Sequence, residues 1–219
     1  MTLGSVISEE EYLEHVKPAL MKVFKDCIYP AFGGTELPFR DAIEARLFVF
    51  GYAIEPPLDN PIFWNALSSA ILEIGDTEIF VTNTVDESCW KYTLGSYQPL
   101  SDLYGSCQAI CSLQGNWGIL FDFDEVGLIG GPTSFIDNIR KDYPEIDRHI
   151  YSYFEEIKPT NTSIEYFKEH GKYKGDAMNW LPETIIHIYG KNKGKEILED
   201  ARKMNINPYL WGKERERNS

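Results

Sequence analysis

The run Leu120-Phe121-Asp122-Phe123-Asp124-Glu125-Val126 places three carboxylates directly after an apolar stretch. At a hairpin tip such acids stay solvated, and Asp supports the turn backbone with its own oxygens. A tip carrying that much negative charge is also a contact for a basic partner, and Asp86-Glu87 has the same character. Sulfur and imidazole offer less. Cys107 and Cys111 stand four apart, as on one helical turn, but no second Cys or His pair follows at zinc spacing. His15, His149, His170 and His187 are scattered, with neither His-x-x-x-His nor Gly-x-Ser-x-Gly in the chain. Gly190-Lys191-Asn192-Lys193-Gly194-Lys195-Glu196 has three residues between its glycines where a phosphate loop has four, and Glu where Ser or Thr would hold Mg²⁺. It reads as a helix stop followed by a basic turn.

Aromatic residues gather around these acids. Trp90, Tyr92, Tyr97, Tyr104 and Trp117 lie in the same part of the chain, and Tyr or Trp beside carboxylates is a combination that anchors protein interfaces. On strands the same residues also serve as core. Residues 1–140 hold 20 Asp/Glu against 7 Lys/Arg, whereas residues 141–219 hold 14 of each, so the whole excess of −13 sits in the first part. That surface repels a polyanion and attracts a basic protein, which excludes nucleic acid as the expected partner; the same charge also serves solubility. With no signal-like start, no membrane-length apolar run and four sparse cysteines, the expectation is a cytoplasmic protein whose thiols are small buried apolar groups.

The elements that must carry these residues begin with a helix. Ser8 and Glu11 form a capping box, Ile7 and Tyr12 a hydrophobic staple, and Tyr12, Val16, Leu20, Val23 and Cys27 recur at helical spacing across a kink expected at Pro18. Arg40 to Arg46 reads as a short helix and Leu47 to Ile54 as a buried strand. Asn60 caps a helix with Pro61 at its first position and Gly75 as its left-handed stop. Glu78–Val85 pairs with Cys89–Leu94 as one hairpin, and Trp117–Phe121 with Val126–Ile129 as another, the stretch between them reading as irregular. Beyond residue 133 every apolar pattern is helical, with Pro159 and Gly190 as stops. The predicted class is α+β: an antiparallel sheet built from hairpins with packed helices in an acidic domain, 1–140, followed by a helical extension packed on it, 141–219.

Two resemblances add to this. Leu120–Val126 resembles the first motif of haloacid-dehalogenase-type phosphatases, an apolar strand ending in Asp-x-Asp-x-Thr/Val, which implies Asp122 as nucleophile and Asp124 as acid/base with Mg²⁺. The chain departs from that pattern where Gly127–Gly131 looks like a returning strand and where Lys191-Asn192-Lys193 offers bases in place of the distal metal-binding acids. The expectation is therefore no cofactor and no Mg²⁺-dependent phosphatase activity. Gly51-Tyr52-Ala53-Ile54, Phe63-Trp64, Trp117-Gly118-Ile119-Leu120, Gly127-Leu128-Ile129-Gly130-Gly131 and Phe135-Ile136 together resemble small bacterial immunity proteins of contact-dependent inhibition and polymorphic toxin systems. That likeness covers roughly residues 45–140. It implies a non-enzymatic protein that binds and neutralises a basic toxin domain, with Asp86, Glu87, Trp90, Tyr92, Tyr97, Tyr104, Asp122, Asp124 and Glu125 as the contact set. An intracellular protein-binding scaffold is the other reading the residues leave open.

Overall fold

The computed structural model describes residues 4–25, 38–50, 61–84, 86–94, 108–121, 126–157, 180–204 and 206. They fall into two compact units, divided between Ile150 and Tyr151. The first is a seven-stranded antiparallel sheet with helices on both faces, so the chain is α+β. Its strands are β1 (Ser5–Val6), β2 (Ala45–Phe50), β3 (Glu78–Asn83), β4 (Cys89–Thr93), β5 (Gln108–Cys111), β6 (Gly118–Phe121) and β7 (Val126–Gly131). They lie in the order β1-β4-β3-β5-β6-β7-β2. The expected hairpins β3–β4 and β6–β7 are present. β2 falls where a strand is expected, beginning at Ala45, and β1 and β5, which the periodicity did not predict, fill the other two places.

Cross-strand partners point their side chains to the same face. Leu47, Val49, Ile79, Val81, Ile110, Ile119 and Ile129 share one face and form a single core. Helix α2 (Pro61–Glu73) packs Phe63, Ala66, Leu67, Ala70 and Ile71 on it; α3 (Thr133–Asp142) adds Phe135, Ile136 and Ile139. Pro61 opens α2 and Gly75, at φ 90°, ends it, as the sequence predicts. Fully buried Trp117 donates from Nε1 to Asp76 Oδ2 at 2.8 Å just beyond that stop, and so gives a buried carboxylate its partner.

The opposite face receives helix α1, which runs through Glu9–Glu11, a π-helical stretch Tyr12–Val16 and Lys17–Val23. Ser8 caps it, accepting from Glu11 N at 3.2 Å. Pro18 has no N–H to offer Glu14, and the wide turn lies directly before it, with Lys17 N–H bonded to Tyr12 O. Where α1 ends, Phe24 and Phe39 pair at 5.4 Å between centroids and press onto the sheet at the cross-strand glycines Gly118 and Gly130. A Cβ at Gly118 would stand 2.8 Å from the Phe24 ring, and one at Gly130 would stand 2.5 Å from Phe39. This packing overturns the short helix expected over Arg40–Arg46. Phe39 and Ile43 are drawn onto Gly130, Arg40 N–H bonds Val23 O, and only one turn closes, from Ile43 N–H to Arg40 O, before β2 begins at Ala45.

β2 is flanked by a 3₁₀ turn, Pro144–Arg148, that opens helix α4 (His149–Glu156). Here His149 Nδ1 accepts the Phe50 N–H at 3.1 Å, and its Nε2 lies 3.0 Å from Tyr143 Oη. A backbone donor on Nδ1 fixes the proton on Nε2, so the ring is neutral and donates to Tyr143. Burial pushes its pKa down to about 4, against a small upward pull from Glu145.

The second unit contains helix α5 (Trp180–Lys203), broken at Gly190 by φ 75° and ψ 167°. The sequence reads this as two helices meeting at Gly190, and the backbone breaks there. Tyr151 donates to Asp200 Oδ2 at 3.2 Å within this unit. The sequence also reads as a short helix around Ile164 and Phe167, which lie outside the described residues. No helix among the described residues is long and apolar enough to cross a membrane.

Candidate functional site

The strand order decides which acids can act together. β3 and β6 run the same way, so the β3–β4 turn and the ends of β6 and β7 that flank residues 122–125 lie along one edge of the sheet. Ile7 joins that edge by donating to Cys89 O at 2.9 Å, and α1 starts from it with Glu9, Glu10 and Glu11, all exposed.

Asp86 is exposed in the β3–β4 turn and accepts from Ser88 N at 2.9 Å and Ser88 Oγ at 2.5 Å. Those two bonds favour the ionised form and hold its carboxyl below the usual value. Glu87 adopts the left-handed backbone, φ 59°, and is half-buried against Lys17 Nζ at 2.9 Å. The same ammonium lies 6.0 Å from the centroid of Tyr12. Burial, reinforced by the charge of Glu87, pushes the Tyr12 phenol far up, so the corner stays a neutral phenol beneath a paired lysine. Lys91, further along β4, is held by Glu78 at the far end of β3, at 3.4 Å.

Trp90 and Tyr92 lie on the core side of β4 and are half-buried; Tyr92 packs against the core, its ring under Gly4. Of the predicted contact set the structure thus brings Asp86 and Glu87 to one edge, with Trp90 on the strand that leaves it. Tyr97, Tyr104, Asp122, Asp124 and Glu125 lie outside the described residues. Sequence reasoning missed Glu9, Glu10 and Glu11 as site residues. Their signal in the sequence is three consecutive glutamates in the first turn of a helix, a pattern that the helix dipole alone also accounts for.

Cys111 stands on β5, not on the helical turn that its spacing from Cys107 suggested, and Cys107 lies outside the described residues. Cys89 and Cys111 are buried free thiols. Burial raises both; for Cys89 the nearby charge of Glu11 adds to it and a 3.4 Å bond from the Thr82 hydroxyl offsets it. Neither is placed to react, since the thiolate is the nucleophile. Among the described residues no three His, Cys, Asp or Glu side chains come together as a metal site. The edge carries exposed carboxylates, and the lysine among them, Lys17, is already paired with Glu87. Comparison with protein-family models, with curated proteins and with solved structures finds no match.

Proposed function

We propose that the chain binds a basic protein domain and acts as an immunity-type inhibitor, neutralising a toxin in the cytoplasm by covering it with acids. The observation that carries this is the convergence of exposed Glu9, Glu10, Glu11 and Asp86 on one edge of the sheet, while Lys17 beside them is committed to Glu87. The local field is therefore negative as well as the net charge. Opposite charges steer encounter over a Debye length of roughly 8 Å at physiological salt, so the effect belongs mainly to the association rate.

The test is a pull-down from the native host, followed by binding kinetics for the native chain and for Glu10→Lys combined with Asp86→Lys. The captured partner is expected to be basic, and the double reversal should slow association on the order of tenfold at low salt with little change in dissociation. An acidic partner, or a basic one whose association rate ignores both salt and the reversal, would show that the charge serves solubility alone.

A further inference from the structure

We propose that the outer edge of β1 receives an extended segment of the basic partner as an added strand. This deepens the reading above and rests on it. The ladder register sets Ser5 opposite Lys91 and Val6 opposite Trp90, and Ile7 N–H bonds Cys89 O. In an antiparallel pair the bonded residues alternate, so Ser5 and Ile7 turn their backbones toward β4 while Val6 turns both its N–H and its C=O away from it. Among the described residues β1 is the last strand in the sheet order, and Val6 is 75% exposed. An outward donor and acceptor on an extended residue form a template for another strand.

Side chains and charge define what that strand must be. Val6 shares its face with half-buried Trp90, and the next position along is Gly4, where a Cβ would come within 2.6 Å of the Tyr92 ring. The rim is thus a flat strip of valine and aromatic surface, suited to β-branched side chains on the incoming strand. Exposed Glu9, Glu10 and Glu11 follow three to five residues after Val6, and Asp86 lies in the turn leading to β4. Lysines or arginines on the incoming segment meet these acids. A second copy of this chain, at net charge −13, would meet its own repulsion instead.

The probe is a short peptide of alternating lysine and valine, titrated into the full-length chain while the exchange of the Val6 amide is followed by NMR. With peptide at about ten times its Kd, Val6 exchange should slow about tenfold. Val6→Pro removes only an outward N–H, leaving the Ile7 bond to Cys89, and should abolish binding. Because that variant can also loosen β1, the same peptide N-methylated at alternate residues is tested on the native chain and should fail to bind. Binding that survives both Val6→Pro and N-methylation overturns strand addition. If that binding is still lost when Glu9, Glu10 and Glu11 become Lys, the basic-partner reading stands without it. Equal binding of a glutamate–valine peptide, no binding of the lysine–valine peptide, or a dimer of the native chain that Val6→Pro dissolves would each overturn the proposed occupant.

Discussion

Acidification should destabilise this fold through His149 in a measurable and separable way. The ring is buried, with Nδ1 accepting the Phe50 N–H at the edge of the sheet, and its pKa is pushed down to about 4. An unfolded chain carries histidine near its ordinary value, about 6.5. Above that value both states are neutral and the group contributes no pH dependence. As pH falls from about 6.5 toward 4, the unfolded state takes up a proton that the folded state refuses, so stability declines; below 4 both are protonated and the loss levels off. At about 1.4 kcal/mol per pH unit, the loss is about 2 kcal/mol by pH 5 and about 3 kcal/mol near pH 4, taking the folded value as about 4. The assay is urea denaturation followed by tryptophan fluorescence at pH 7, 5 and 4, for the native chain and for His149→Asn. The Asn side-chain oxygen can take the Phe50 N–H but does not titrate, so the variant should be weaker at pH 7 and flatter below it. An NMR titration of the His149 ring supplies the second reading. Equal slopes for the two proteins between pH 6.5 and 4, or a ring that titrates near 6.5, would refute the reasoning.

Two further outcomes follow from packing. Gly130→Ala should cost about 1–3 kcal/mol in urea denaturation, because its Cβ would stand 2.5 Å from the fully buried Phe39 ring and 2.9 Å from Ile43; adding Phe39→Leu should recover part of the loss, and a Gly130→Ala variant as stable as the native chain would contradict the bare-strip packing. Trp117→Phe keeps an aromatic ring 5.4 Å from that of Phe135 but leaves Asp76 buried without its indole donor, which should cost about 1–3 kcal/mol; Asp76→Asn, which keeps an acceptor, should cost less, and equal losses would assign the effect to packing.

What could be read from the chain was the chemistry that acts locally. Pro61 and Gly75 delimit α2 by their own backbone limits, Ser8 caps α1 within three residues, and the two hairpins declare themselves by apolar runs around short polar connections. β5 is four buried residues, Gln108–Cys111, without alternation, since a central strand covered on both faces has no polar side to alternate with. β1 is two residues long and is a strand only because β4 lies beside it. Arg40–Arg46 went wrong for a related reason: Phe39 and Ile43 look helical until Gly130 and Gly118, far along the chain, offer the bare surface they fill. The acids of the candidate edge were equally legible one by one. Their meeting was not, because it depends on the order in which strands lie side by side.

The two margins of the sheet differ, and that difference governs growth. Along β2 the Phe50 amide is bonded to His149 beside a 3₁₀ turn, while β1 presents Val6 as the terminal strand of the described residues. A molecule with two open margins is a bifunctional monomer and can polymerise into fibres. One with a single open margin is a chain terminator: whatever strand it takes up, the assembly stops at a pair.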